Sequence, residues 1–431
     1  MRDVLIIAIV AVWAIVALYR PWIGVIGWTV LSIMNPHRYA WAASQLPLAA
    51  TLAIATLLGL FLTRDQREWR LSPPTVALLA FMLWISVTFP FSFSVAESFD
   101  LWDRVIKIDL MIIVAMIALT TREQLMALAW TLVVSIGIYG FKGGIFTIVH
   151  GGMFRVWGPP GSFIEGNNEL ALALVMTIPL MRFVQLQTTT PWIKHALTAL
   201  MLLSATAALG TQSRGALLAI AAMAGMLLLR GGGQRLALGA MVFVAGVAIV
   251  AFMPDAWDAR MSTIIHYQND SSALGRINAW WMTWNLATDR IFGGGFAIYD
   301  LPTFARYAPN PRDVHAAHSI YFQVLGEHGF IGLALFLLIG FLVWRWAGWL
   351  RQHASAIPDC RWAAELGALC QVSLVGYAVG GAFLSLAYFD LPYNVLVLVV
   401  VARRIVERQM ATNPIPVKAP SAALAADPPA A

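Results

Sequence analysis

The chain has 431 residues, 60% of them hydrophobic and 12% charged, and its 28 Lys and Arg against 22 Asp and Glu leave a net charge of +6. A soluble domain carries about 25% charged residues, so a water-facing surface is excluded for most of this chain and the bilayer must be its solvent. The apolar runs are continuous rather than alternating, which excludes a barrel, and no clustered basic stripe lets the positive charge be read as nucleic-acid binding.

A spanning helix needs roughly 20 apolar residues. Apolar runs fall at 4–19, 22–34, 47–63, 74–92, 104–120, 124–146, 168–187, 192–212, 214–230, 235–253, 319–347, 363–387 and 390–406. The first two are either two spans or one broken element, so the expectation is an all-α bundle of twelve or thirteen spans. No small-residue cleavage site follows Met1-Arg2-Asp3 and its apolar run, and that run reads as a retained helix. Cys360 and Cys370 flank the start of one predicted helix, too far apart along it to pair with each other. The tail 411–431, rich in Ala and Pro, reads as disordered. The rest, 1–410, reads as one transmembrane unit.

Lys and Arg in short loops set orientation. Alternate loops are basic: Arg64, Arg67 and Arg70; Arg122; Lys194; Arg230 and Arg235; Arg345, Arg351 and Arg361; Arg403, Arg404 and Arg408. These form one cytoplasmic set. The complementary segments, 35–45, 94–103, 150–169, 211–214 and the long 254–318, then face outward.

The outward set holds the residues fit for chemistry. Thr211-Gln212-Ser213-Arg214-Gly215 leaves an arginine at the membrane boundary. It either snorkels to the headgroups or offers a fixed guanidinium fork to a phosphate. Ser271-Ser272-Ala273-Leu274-Gly275-Arg276 precedes a predicted helix over 277–287 with Trp280, Trp281 and Trp284 on one side. Arg276 then lies near a helix N-terminus, where a cation is unfavourable unless an anion arrives, or else is a solvated surface residue. Asp313-Val314-His315-Ala316-Ala317-His318-Ser319 opens the next long helix. Its histidines read three ways: as a general base, as metal ligands with Asp313 or Glu327, or as plain polar residues at a helix start. The loop 151–168 adds Arg155, Glu165, Asn167 and Asn168 amid Gly and Pro. Two arginines and a histidine on one face suit a lipid diphosphate: the cations hold the leaving group and the imidazole deprotonates a hydroxyl. With neither a Walker loop nor GxGxxG present, the energy must reside in the donor.

At this point the residues resemble a known family. The run from His318-Ser319-Ile320-Tyr321-Phe322 to Glu327-His328-Gly329 resembles the H-N/S-x-x-L…E-x-G signature of the O-antigen ligase/polymerase superfamily. Ser213-Arg214-Gly215 resembles its S-R-G helix start, and Gly275-Arg276 its second arginine, in the same chain order. Met34-Asn35-Pro36-His37-Arg38 with Trp41 is similar to the O-glycosylation ligases associated with exosortase systems. Phe322 stands where the signature carries Leu. The resemblance implies a GT-C-like membrane glycosyltransferase of the bacterial inner membrane, with its site facing the periplasm. It implies metal-independent, inverting transfer of a glycan from undecaprenyl diphosphate to a hydroxyl of lipid A core or protein, without a cofactor. By the same analogy Arg214 and Arg276 bind the diphosphate and His318 is the base, with His315, Arg155, Asn168 and Glu327 as supporting candidates. His328 is a further competitor for the base role. A glycan polymerase using the same donor, and a transporter or flippase of lipid-linked or anionic solutes, are the rival readings.

Overall fold

A computed structural model describes residues 2–230 and 271–412, together with Pro254, Trp257, Met261 and Gln268. The predicted span 235–253, most of the segment 254–270 and nearly all of the predicted tail lie outside the described residues. Among the described residues the chain is all-α, with no strand.

The described residues form fourteen α-helices in chain order: α1 (Arg2–Tyr19), α2 (Pro21–Thr29), α3 (Leu48–Leu62), α4 (Pro73–Thr88), α5 (Val95–Ala118), α6 (Arg122–Val149), α7 (Asn167–Gln187), α8 (Pro191–Gly210), α9 (Arg214–Arg230), α10 (Ser271–Asp289), α11 (Leu301–Tyr307), α12 (Ile320–His353), α13 (Arg361–Gly381) and α14 (Asp390–Thr412). Among the described residues seven helices are long and apolar enough to cross a membrane, and the stretches Pro21–Met34, Leu48–Leu62 and Arg214–Leu229 are shorter apolar helices. The chain is therefore a polytopic α-helical membrane protein. Helices α5 and α14 run among these but carry more charge. Helix α7 is the most enclosed of the spans, packed by α6, α8, α9 and α13.

Hydrogen bonds sort the loops into two ends. Asp3 accepts from the backbone N–H groups of Ala42 and Ala43 at 2.6 and 2.8 Å, which puts the N-terminus at the end of the 35–45 turn. At the other end Arg20 pairs with Asp65 at 3.3 Å, Arg404 donates to the Met116 carbonyl at 2.6 Å, and Arg408 lies 3.7 Å from Glu68. The basic loops around 64–70, 120–122 and 403–408 that charge alone grouped together thus meet at one physical end of the bundle, called the basic end below. The opposite end carries His318 and is called the site end.

Three boundaries differ from expectation. Helix α5 starts at Val95, not 104, because Ser94 caps it by accepting from the Glu97 N–H. Its first turns are too polar to register as an apolar run. Helix α10 starts at Ser271, not 277, so Arg276 sits in its second turn. The favourable field of a helix N-terminus fades within the first turn, and the dipole argument for Arg276 falls away. Helix α12 runs to His353 but is broken at Gly329, whose φ of 69° and ψ of −172° are not helical. The break frees the carbonyls of Gly326 and Glu327, which accept instead from the N–H groups of Gly294 and Gly295 at 2.9 and 3.0 Å. A Cβ on Gly329 would stand 2.2 Å from the Ile291 carbonyl oxygen, so the E-x-G element encodes this kink and its docking to the 291–295 loop.

Candidate active site

The site end is assembled from four separate stretches. The first is the turn between α8 and α9. Thr211 and Gln212 turn the chain, with Gln212 in the left-handed region at φ 57°. Ser213 Oγ accepts from the Ala216 N–H at 3.3 Å, which caps α9 and makes Arg214 its first residue. The second stretch, 150–168, clamps that turn. Asn167 donates to the Thr211 carbonyl at 2.8 Å, Gln212 donates to the Gly152 carbonyl at 3.2 Å, and Arg155 donates to the Gln212 side chain at 3.3 Å. Arg155 is thus a support of the turn carrying Arg214. Asn168, the second residue of α7, is half-buried; its neighbour Asn167 makes the structural bond.

The third and fourth stretches are α10 and the 308–319 loop, and they are locked in register. Asn278 donates to the carbonyls of Asn310 and Asp313, both at 2.9 Å, and accepts from the Asn310 N–H at 2.9 Å. Trp280 donates to the Ala317 carbonyl at 2.7 Å and stacks on Phe322 with centroids 5.0 Å apart. Phe322, the residue that departs from the family signature, therefore has a packing partner on α10. His315 rests on Gly275, where any Cβ would come within 2.3 Å of the ring, and its Nε2 meets Asp313 Oδ1 at 2.8 Å.

These locks deliver Arg276 to His318. His318 is half-buried, precedes the first turn of α12, and holds a φ of 42°, a left-handed conformation uncommon outside glycine. Strained backbone of this kind persists only where surrounding structure enforces it. Its Nδ1 is buried with no hydrogen-bond partner among the described residues. Burial, the Arg276 guanidinium and the neighbouring His315 together push its pKa down to about 4. The imidazole is therefore neutral at pH 7, with a free ring nitrogen. Arg276 also acts electrostatically on Glu169, at the start of α7. Sequence reasoning passed over Glu169, since a single acidic residue in a first helical turn ordinarily just answers the helix dipole.

Arg214 and His318 are related through a shared wall. Gly215 packs on Phe383 and the Gly380 carbonyl, and Gly381 packs on the Ile320 side chain. The starts of α9 and α12 thus abut the same turn at the end of α13. The remaining candidates separate from the site. Glu327 is 1% exposed and accepts from the Tyr388 hydroxyl, while His328 is fully buried with Nδ1 2.8 Å from Thr88 Oγ1. Both stand beside the kink, where they bond Tyr388 and Thr88. Among the described residues no three His, Cys, Asp or Glu side chains gather as a metal site.

A membrane bundle with a strained, neutral histidine in the field of an arginine is a polytopic protein with a polar site at one end. The family model described as O-antigen ligase matches residues 199–337, the stretch that includes Arg214, Arg276 and His318, and this match supports the resemblance to the O-antigen ligase superfamily. A second model, a family of unknown function (DUF5935), matches residues 1–189. No curated protein matches the chain. The O-antigen ligase domain supports a function of the glycan ligase or polymerase type and an enzyme of the glycosyltransferase kind.

Proposed function

We propose that this protein is an inner-membrane glycan ligase, working on the periplasmic face with residues 1–410 as one transmembrane glycosyltransferase unit. It moves a glycan from undecaprenyl diphosphate to a hydroxyl of lipid A core or of a protein. The observation that carries this reading is His318: neutral, strained, with an unused buried nitrogen, and set against the Arg276 guanidinium.

In this scheme His318 takes the proton of the acceptor hydroxyl. The acceptor oxygen attacks the anomeric carbon on the face opposite the diphosphate, so the configuration inverts. The bond from that carbon to the diphosphate oxygen breaks, and undecaprenyl diphosphate leaves with the electron pair. Arg276 and Arg214 meet the growing negative charge; a guanidinium fork matches phosphate oxygens in a way a lysine does not. The donor also tunes its base. In the free protein the Arg276 charge opposes protonation of His318, and an arriving diphosphate offsets that charge, so the imidazole becomes more basic once the donor is bound.

The surroundings fit a lipid-borne donor. One turn beyond Arg276, Ile277, Trp280, Trp281 and Trp284 of α10 line an apolar pocket of about 430 Å³ with Phe322. A prenyl chain entering there would leave its diphosphate at Arg276. A second assignment of the base rests on the Asp313–His315 contact, the arrangement by which a carboxylate orients an imidazole.

The test is glycan analysis of a deletion strain with reconstitution of the purified protein. A ligase leaves full-length glycan stranded on its lipid carrier in the mutant, and the purified protein attaches that glycan to acceptor. Accumulation of single repeat units would instead assign polymerase activity, and an unchanged glycan profile would remove both.

A further inference from the structure

A second amphiphilic pocket lies in the N-terminal region, with no lining residue in common with the His318 site. It occupies about 330 Å³. Ala53, Ile54 and Leu57 of α3 and Leu110 of α5 give it an apolar lining, and Arg38, Arg104 and Lys107 give it a cationic one. We propose that this pocket binds an anionic phospholipid, its net negative head against Arg38, Arg104 and Lys107 and its tail along Ile54 and Leu57. This goes beyond the ligase reading, since it assigns a ligand to the stretch matched by the family of unknown function.

Three observations carry it. The first is position along the helix. Arg104 and Lys107 precede the last turns of α5, residues 110–118, which carry no charged residue. Leu110 lines the same pocket as the two cations, together with Ile54 and Leu57 of α3. Cations beside an apolar groove are the arrangement by which basic pockets between membrane helices hold anionic lipid heads.

The second is how the cations are held. The α2 helix ends in a π-helical turn, Val30–Met34, and Asn35 reverses the chain in the left-handed conformation at φ 51°. That reversal brings Arg38 back over the bundle, its guanidinium against the turn at Gly161. Arg104 lies over the Phe163 ring at 5.4 Å. The same short turn, 161–163, thus holds two guanidinium groups together, against their mutual repulsion. Neither forms a salt bridge among the described residues.

The third is charge balance. Asp103 pairs with Lys107. Asp390, buried at the head of α14 and accepting from Ser32 at 2.7 Å, feels Arg104. These two acids do not answer three cations; Glu165 is turned onto the Gly161 N–H at 2.7 Å, and Arg38 forms no ion pair among the described residues. His37 lines the same pocket with its Nδ1 buried and unpartnered among the described residues. An anionic lipid head supplies both the missing charge and a hydrogen-bonding group.

Native mass spectrometry of the full chain, titrated with phosphatidylglycerol or phosphatidylcholine, tests this. The wild type should retain phosphatidylglycerol in preference to phosphatidylcholine. Losing two arginines in the Arg38→Gln/Arg104→Gln variant should weaken that retention about thirtyfold. Should the double variant fail to purify, Arg38→Gln alone should show a loss of about fivefold. Leu57→Trp, which fills the groove but keeps every charge, should also displace the lipid. Equal retention of the two lipids overturns the proposal, as does inorganic phosphate binding as tightly as phosphatidylglycerol, since the groove would then hold no tail. Arg276→Gln should leave retention unchanged; a loss there would place the lipid at the His318 site and overturn the assignment without touching the ligase reading.

Discussion

The two ends of this bundle solve opposite problems. At the basic end charged groups are matched: Arg70 and Arg403 share Glu407 at 3.1 and 2.8 Å, Arg404 takes the Met116 carbonyl, and Arg408 takes the Thr120 carbonyl. At the site end the chain is bent instead. Every described residue with positive φ lies there, including the non-glycines Asn35, Gln212 and His318. Buried polar atoms without hydrogen-bond partners are more numerous there, among them His318 Nδ1, His328 Nε2 and His37 Nδ1, whereas at the basic end Arg404 Nε lacks a hydrogen bond but faces Glu68 at 4.0 Å. An end that is satisfied maintains the fold, whereas strain and unmet polar groups concentrate where ligands act.

The largest effect should come from His318. If the site end owes its strain to catalysis, His318→Ala should insert and fold normally but lower transfer by about 10²–10⁴-fold, the usual worth of a positioned base. His315→Ala, read in the same reconstituted assay, apportions the role. A loss confined to about tenfold, in line with one hydrogen bond to a charged group, makes Asp313–His315 a support for the loop. A loss equal to that of His318→Ala would transfer the base to His315 and leave the left-handed conformation of His318 without a catalytic reason.

Arginine substitutions come next. Arg276→Gln should weaken donor use by about 10–100-fold, the range for a charge-assisted hydrogen bond. Arg214→Lys keeps charge but loses the fork. It should raise the KM for donor more than it lowers kcat if Arg214 grips the ground-state diphosphate, and lower kcat if it serves only the leaving group. Near-wild-type kinetics for Arg214→Lys would remove it from the diphosphate and reduce its part to starting α9.

How far this division could be read beforehand depends on the kind of signal. Continuous apolar runs over 168–187 and 192–212 locate α7 and α8 to within a few residues, since a span must be apolar whatever its neighbours do. The head of α5 was invisible for the same reason, being helical but wet. Arg214 and Arg276 stand out as candidates because charge is conspicuous in a chain that is 12% charged, and His318 because only eight histidines occur in it. The tie between Arg276 and His318 does not stand out, because it runs through Asn278 and Trp280 bonding to backbone carbonyls at 310, 313 and 317. A side chain's partner is set by the fold, and carbonyls carry no sequence signature. Glu327 and His328 illustrate the converse: motif residues that looked chemical stand beside a kink at Gly329, whose carbonyls the glycines at 294 and 295 satisfy.

Acidity offers a gentler test. An ordinary imidazole at pKa 6.5 would be mostly protonated at pH 5, costing a base mechanism about thirtyfold. His318, held down to about 4, remains mostly neutral there, so kcat/KM for the donor should change little between pH 7 and 5. The acid limb of kcat should lie at higher pH, because bound diphosphate offsets Arg276. Stability has the matching sign. Between pH 6.5 and about 4 the unfolded chain takes up a proton that the folded site refuses, so the melting temperature should fall as pH drops through that window. An acid limb of kcat/KM near 6.5 would mean that the base is not His318 in its observed setting.

The smallest effect belongs at the basic end, and it is the one that isolates the contrast. Glu407→Gln removes the carboxylate shared by Arg70 and Arg403, both partly exposed. Exposed ion pairs are worth about 0.2–1 kcal/mol, and Arg403 still packs on the rings of Trp346 and Trp349 at 4.0 and 4.5 Å. Thermal stability should therefore fall only slightly, and transfer at saturating donor should be unchanged. A large loss of transfer with the fold intact would show that the matched end is coupled to chemistry across the full length of α14, and the separation of a structural end from a working end would fail.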